Sequence, residues 1–264
     1  MTILIKIGGT LLDSAESRNR LAAEIARAAD DGQQIVVVHG GGKQMTHFLA
    51  ERGIESRFVN GLRVTTPEVL DAVLKVLAGS VNQELVSAFV ACGANAVGLS
   101  GMDALITEAE PMSGDLGSVG KPVVSHGALL DLLMDNGYLP VVACLAGDAQ
   151  GRFYNVNADQ MAASIAGAIG ADKLLFLTDV DGVKGEDGSI YASISMDTCG
   201  LLVDKGVATG GMRTKLDAAV DSIRHGVREV VIAPGARPGV VRKLVAGVPL
   251  GTRVVAEVGA RLHG

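Results

Sequence analysis

The chain has 264 residues, 48% of them hydrophobic, which is enough for one large domain with a substantial core and far from a disordered composition. A formal net charge of −6 and an aromatic content of 3% argue against general binding to nucleic acid or to membrane surfaces, while leaving room for a local cationic pocket for a small anion. The three cysteines (Cys92, Cys144, Cys199) form no CxxC pair, runs such as Leu139–Ala146 are too short to span a bilayer, and Met1 leads directly into a strand, so a reduced, cytoplasmic protein is expected.

The first element, a strand over Thr2–Ile7, is apolar on both sides of Lys6, although lysine is rarely buried unless paired. A helix follows over Ser17–Ala29, with Leu21, Ile25 and Ala29 on one face. The run "QQIVVVHGGG" is a buried strand ending in glycines, and a helix then starts at Gln44. Pro67 suits the first turn of a long helix striped by Leu70, Val73, Leu74, Leu77 and Val81. Asn95–Leu99 is the next parallel-type strand. Residues Ala104–Val124 read as short extended pieces in a β-hairpin excursion, followed by a helix over Leu129–Met134 and a strand over Leu139–Ala143. Gly147–Asn155 is a second hairpin, Ala158–Ile169 a helix and Lys173–Leu177 a strand. Helices over Met196–Lys205 and Thr214–His225 and strands over Glu229–Ala233 and Arg253–Ala256 complete the chain. Alternation of continuous apolar strands with amphipathic helices predicts a mainly parallel sheet covered on both faces, with ligands bound beyond the carboxyl ends of its strands. The whole chain, 1–264, reads as one domain whose two lobes, about 1–148 and 149–264, share the sheet.

Five segments carry candidate chemistry: "KIGGT" (Lys6–Thr10), "HGGGK" (His39–Lys43), "NGLRVT" (Asn60–Thr65), "NVNAD" (Asn155–Asp159) and "TGGMRTK" (Thr209–Lys215). Glycines after a strand or before a helix expose backbone N–H groups that cradle anions. Any one such segment is more often a simple turn, but several with lysines at their edges favour phosphate chemistry. Neither GxxxxGK[ST] nor a GxGxxG following a strand occurs, and there is no GxSxG nucleophile elbow. His39, His47, His126, His225 and His263 lack metal-ligand spacing, so no protein-borne metal site is expected. The bland alternatives stay open for single residues. Lys6 suits an edge strand, Arg63 a surface ion pair, Asp159 a plain helix-start carboxylate, and Asp179 and Asp181 turns in preference to ribose contacts.

In order and in wording, "KIGGTLL", "VVVHGGGKQ", "NGLRVT", "GLSG", "NGYLPVV", "NVNAD", "LTDVDGV", "GGMRTK" and "GTRVV" resemble the amino acid kinase family over essentially the whole chain. "NGLRVT" with "NVNAD" resembles its acetylglutamate branch. The resemblance implies an α/β, three-layer αβα sandwich with a mainly parallel central sheet and β-hairpin excursions. It further implies an ATP-dependent phosphorylation of the γ-carboxylate of N-acetyl-L-glutamate, in arginine biosynthesis, with Mg²⁺ carried on ATP. By the same likeness, Lys6 and Lys215 flank the transferring phosphoryl group and Asp159 holds both ammonium groups. Gly8, Gly9, Gly41 and Gly42 offer amides to phosphate oxygens and to the acceptor carboxylate. Arg63 grips the acceptor's α-carboxylate, Asn155 its neighbouring polar atoms, and Thr178, Asp179, Gly182, Gly210, Gly211 and Met212 border ATP.

Elementary chemistry points the same way. A γ-carboxylate has a reference pKa of about 4.3 and is already a nucleophile at neutral pH, so the task left is to overcome anion–anion repulsion by positioning and fixed positive charge. Two alternatives remain: a kinase acting on an aminoadipate or glutamate held by an acidic carrier protein, and a catalytically silent amino-acid sensor. On the helix after Pro67, apolar Val69, Ala72, Val76 and Ala78 lie off the main stripe and suggest a second buried side, hence a homodimer. Arginine-inhibited members of the family carry a helix ahead of the first strand; with that strand starting at Thr2, an arginine-insensitive dimer is expected.

Overall fold

The computed structural model describes residues 1–257, and His263 lies outside them. The first half of the chain supplies β1 (Thr2–Ile7), α1 (Ala15–Asp30), β2 (Gln34–His39), α2 (Gly42–Ala50), the short pair β3 (Phe58–Val59) and β4 (Leu62–Arg63), and a continuous helix from α3 (Pro67–Val73) through a π segment (Leu74–Val81) to α4 (Asn82–Ala91). Then come β5 (Ala96–Ser100), β6 (Thr107–Pro111), β7 (Val119–Ser125), α5 (Ala128–Asp135) and β8 (Leu139–Ala143). The second half adds β9 (Leu145–Gly147), β10 (Phe153–Val156), α6 (Ala158–Ala168), β11 (Lys173–Thr178), β12 (Ser193–Ser195), α7 (Met196–Asp204), α8 (Gly210–Arg224), β13 (Glu229–Pro234), α9 (Val240–Val245) and β14 (Thr252–Val255).

The central sheet has eight strands in the order β12-β14-β13-β11-β1-β2-β8-β5. From β5 to β13 every pairing is parallel; β14 runs antiparallel to β13 and parallel to β12. β1 lies in the middle, with Ile7 in register with His39 of β2 on one side and Leu177 of β11 on the other. Ile3, Leu4, Ile5 and Ile7 of β1, Val36–Val38 of β2 and Leu174–Leu177 of β11 have no exposed surface, as expected of strands covered by helices on both faces. Helix α1 packs on α4 and α9, and α6 packs on α8, which in turn meets α7. The two hairpins β6–β7 and β9–β10 close into a small barrel above the carboxyl ends of the strands.

Most boundaries follow the sequence pattern, and the departures have local causes. α1 starts at Ala15 because the Ser14 hydroxyl accepts from the Ser17 amide at 3.1 Å. α2 starts at Gly42 and α8 at Gly210, earlier than their apolar patterns indicate, since packing overrides the low helix propensity of glycine. The long helix is the main correction. Val73, Leu77 and Val81 of its expected stripe are buried and Leu70 and Leu74 half-buried, but Val69, Ala72 and Val76, read as a second side awaiting a partner, are buried inside the chain itself. Val69, Ala72 and Val73 precede the π segment and lie with Val76 and Leu77 on one broad helical face that the chain covers, while Ala78 is half-buried. At 25 residues and a mean hydropathy of 1.2 this helix is long and apolar enough to cross a membrane by composition, and here it is a core element packed on α1, β5 and β8.

Candidate active site

Lys6 is the penultimate residue of the central strand, and only 6% of its surface is exposed. Its Nζ lies 2.8 Å from Oδ1 of Asp159, and Nζ of Lys215 lies 3.1 Å from Oδ2 of the same carboxylate. One buried anion therefore holds two ammonium groups brought from the middle of the sheet and from the second turn of α8. Burial by itself pushes the Asp159 carboxyl up, but the charges and hydrogen bonds of Lys6 and Lys215 outweigh it, and the net shift is downward. Asp159 is placed by the start of α6, where the Asn157 side chain accepts from the Asp159 amide at 2.9 Å and from the Gln160 amide at 3.3 Å. That cap is legible as an asparagine directly before an apolar helix.

On the β2 side of Lys6 lies a cavity of about 230 Å³, lined among others by Gly9, Gly41, Gly42, Arg63 and Asn155. The α2 N-terminus at Gly41–Gly42 has no side-chain cap, which leaves its first-turn N–H groups for a ligand. A side chain on Gly41 would press on the end of the Leu77 side chain of the π segment, so glycine here permits a close approach of helix and loop. Arg63 extends over the first turn of α2: Nη2 donates to the Gly42 carbonyl at 3.0 Å and to Thr46 Oγ1 at 2.8 Å, Nη1 donates to Ser56 Oγ, and the guanidinium lies 4.6 Å from the centre of the Phe58 ring. Burial lowers its pKa, yet a guanidinium stays charged. Asn155 is anchored from below by its Nδ2, which donates to Thr65 Oγ1 at 3.0 Å. Although Asn155–Ala158 belong to the second half of the chain, they line the same cavity as the β2 glycines.

On the β11 side, Thr178 is buried at the strand end, donates to Asp179 Oδ1 at 3.1 Å and accepts the Gly235 amide through its carbonyl at 2.8 Å. Asp179 is exposed, and Asp181 pairs with Arg237 at 2.6 Å, as a turn carboxylate does. Gly182 has φ 153°, and a side chain there would press on Thr252 Oγ1, which accepts the Val183 amide at 2.8 Å. Gly210 (φ 52°) and Gly211 open α8, whose Thr209 makes no side-chain cap, and Met212 packs against the core. These residues form a second group, separate from the lining of the 230 Å³ cavity. One expected donor is spoken for: the Gly8 amide donates to the Leu177 carbonyl at 2.9 Å and ties the ends of β1 and β11 together. Among the described residues no three His, Cys, Asp or Glu side chains converge as metal ligands.

Sequence reasoning passed over Asn82 and gave His39 no role beyond a default imidazole. Both are buried directly beneath the β2 glycines, His39 with no exposed surface and Asn82 with 1%. His39 Nδ1 lies 2.9 Å from the Gly40 carbonyl, which can only accept, so Nδ1 carries the proton and Nε2 accepts from Asn82 Nδ2 at 3.0 Å. Burial lowers the His39 pKa to about 4, in keeping with a neutral ring.

The model of the amino acid kinase family matches residues 1–234. The acetylglutamate kinase of Solibacter usitatus is 55% identical over 97% of this chain and 99% of its own length, and that of Acidobacterium capsulatum is 42% identical over 97% and 100%. Among solved structures, an N-acetylglutamate synthase from Neisseria gonorrhoeae, complexed with coenzyme A and N-acetyl-glutamate, superposes with a TM-score of 0.85 at 27% identity; the match covers 97% of this chain and 60% of that longer one. A carbamate kinase from Giardia lamblia bound to AMP-PNP shares the fold, with a TM-score of 0.71 at 17% identity over 96% of this chain and 98% of its own. With a family model matched over most of its length and relatives this similar end to end, the chain belongs to the amino acid kinase family.

Proposed function

We propose that the protein transfers the γ-phosphoryl group of Mg·ATP to the γ-carboxylate of N-acetyl-L-glutamate, giving N-acetyl-L-glutamyl 5-phosphate and ADP, the second step of arginine biosynthesis. The observation that carries this reading is the pair of lysines held by Asp159 between two helix N-termini, α2 and α8, that have no side-chain cap. The acceptor carboxylate needs no general base, because it is ionised at neutral pH. Its oxygen attacks the γ-phosphorus, the β–γ P–O bond breaks, and the electron pair departs on ADP. Lys6, at the wall of the 230 Å³ cavity, offsets repulsion between the two anions, and Lys215 takes up charge building on the leaving diphosphate. Asp159 aims both ammonium groups and so removes a reorganisation cost at the moment of transfer.

Arg63 and Asn155 bind the acceptor's α-carboxylate and adjoining polar atoms, while Gly9, Gly41 and Gly42 present amides to the reacting oxygens. Thr178, Asp179, Gly182 and Gly210–Met212 border the nucleotide. The acceptor thus sits mainly in the lobe of residues 1–148 and ATP in that of 149–264. Magnesium arrives on the nucleotide's β and γ oxygens as part of the substrate. Assembly as a homodimer in the cytoplasm belongs to the same reading and rests on the family likeness, since the chain itself covers Val69, Ala72 and Val76; light scattering at micromolar concentration tests it. A coupled ADP-release assay with N-acetylglutamate, glutamate, aspartate and uridylate tests the reaction. Turnover with acetylglutamate is expected, and turnover only with uridylate or aspartate would reject the acceptor assignment.

A further inference from the structure

The acceptor-side glycines stand on a buried polar relay that none of the roles above uses. Asn82 is the first residue after the π segment, and its side chain points into the core. Its Nδ2 donates to the Val141 carbonyl at 2.9 Å and to His39 Nε2 at 3.0 Å, with the Leu99 carbonyl at 3.4 Å. The Val141 carbonyl accepts only, so the amide orientation is fixed and both N–H groups are used. On the other side the imidazole Nδ1–H donates to the Gly40 carbonyl at 2.9 Å. An unpaired polar group at such depth is costly, so each member of this chain holds the next in one orientation.

Two glycines pack closely around this stretch of helix. A side chain on Gly98 of β5 would collide with the Asn82 amide, and one on Gly41 would collide with Leu77 of the π segment. The π segment, a rare form that recurs at functional sites, thus brings Leu77 against Gly41 and Asn82 beneath His39 within one stretch of helix.

We propose that Asn82, acting through His39, is a positioning residue for phosphoryl transfer that fixes the backbone of Gly40–Gly42 and so aims the α2 amides at the reacting oxygens. This rests on the phosphoryl-transfer reading of the same site. Neither His39 nor Asn82 lines the 230 Å³ cavity; both act through the Gly40 carbonyl.

The test compares Asn82→Leu, His39→Leu and His39→Asn with the parent enzyme. Asparagine at position 39 keeps an amide N–H near the place of Nδ1 and can still donate to the Gly40 carbonyl. Where leucine is too bulky beside Gly98, Asn82→Ala replaces it. Both donor-deleting variants should lower kcat on the order of 10- to 100-fold with each KM within about threefold, since a misplacement of about 1 Å costs up to about 10² in rate. His39→Asn should recover most of the loss. Hydrogen exchange of the peptide spanning residues 39–45, read without substrate, should quicken in the deleting variants while the β1 and β11 peptides keep their protection. A folded Asn82 variant with parental exchange in that segment overturns the inference, as does a kcat within twofold of the parent or equal losses in His39→Leu and His39→Asn. If the parent enzyme does not turn over acetylglutamate, the acceptor assignment fails, and the exchange rates alone decide whether Asn82 holds the loop.

Discussion

Lys6 and Lys215 reach the same carboxylate from two unlike neighbourhoods. Around Lys6 the side chains are already tied down: Arg63 by Gly42, Thr46 and Ser56, Asn155 by Thr65, and the β2 glycines by His39 and Leu77. Around Lys215 the candidate contacts are mostly backbone and mostly open, with Gly210, Gly211, Asp179, Val180 and Asp181 exposed. The cost of ordering side chains has been met during folding on the first side, and on the second little side-chain order is in place. A preorganised wall suits discrimination among small acceptors, because a site built of satisfied polar groups penalises a ligand that cannot replace them. An open rim of amides suits a polyphosphate, whose charge needs donors more than shape.

The largest expected effect comes from removing what the two sides share. Lys6→Ala and Lys215→Ala should each lower kcat by about 10²–10³, the range typical of a lost electrostatic donor. Each variant leaves Asp159 one lysine, so its folding cost should fall short of the roughly 3–5 kcal/mol expected when a buried pair is broken outright. The comparison sharpens if the apparent KM for acetylglutamate moves in Lys6→Ala and that for ATP in Lys215→Ala. Steady-state kinetics beside urea unfolding separate the two effects, and near-parental turnover in a folded variant would remove that lysine from the mechanism.

Acid should weaken the acceptor side first. His39 has a pKa of about 4 in the fold against 6.5 for the free side chain, so between those values the unfolded chain binds more protons and stability falls as pH falls. At about 1.36 kcal/mol per unit the loss reaches about 3 kcal/mol by pH 4. Asp159 is also depressed, and its contribution is lost only as pH drops below the ordinary carboxylate range, so the two windows are separate. Unfolding free energies at pH 7, 5.5 and 4 should show the first slope in the parent and lose it in His39→Asn. A slope that survives the substitution would place its origin elsewhere.

Much of this was legible in the sequence, because the catalytic candidates sit at punctuated places: a lysine inside an apolar strand, glycines at strand ends, an aspartate at a helix start. The supporting layer was not. Asn82 occupies a helix position inside an apolar stretch, and only the π segment turns it under His39. His39 carries no spacing signal, since its partners come from Gly40 next door and from Asn82, 43 residues away. The early start of α8 puts Lys215 in a second turn, a position that a glycine pair conceals. Gly8 was expected to offer its amide to phosphate and instead gives it to Leu177, a parallel-strand contact that no local pattern announces.

Arg63 probes the tied-down side alone. Arg63→Ala removes a charge-assisted contact worth about 1.5–3 kcal/mol, so the apparent KM for acetylglutamate should rise on the order of ten- to a hundredfold while that for ATP stays near parental. Arg63→Lys should recover only part, because a point charge cannot reproduce the guanidinium fork that now spans Gly42, Thr46 and Ser56. An unchanged acceptor KM in the alanine variant would move the carboxylate contact away from the first turn of α2.

The smallest effect is expected on the open side, at Asp181. Its carboxylate pairs with Arg237 at 2.6 Å, but both side chains are more than half exposed, at 59% and 55%. An exposed pair gains little Coulomb energy in water and gives up side-chain freedom, so its worth is about 0–1 kcal/mol. Asp181→Asn should therefore change unfolding free energy by less than about 1 kcal/mol, and the difference should shrink further in added salt. If the carboxylate serves only the turn between β11 and Gly182, ATP affinity stays within about twofold, since an amide fills the same place in a turn. A tenfold loss of ATP affinity with stability unchanged would instead make Asp181 a nucleotide ligand, and the rim around Lys215 would then rely on side chains as much as the acceptor wall does.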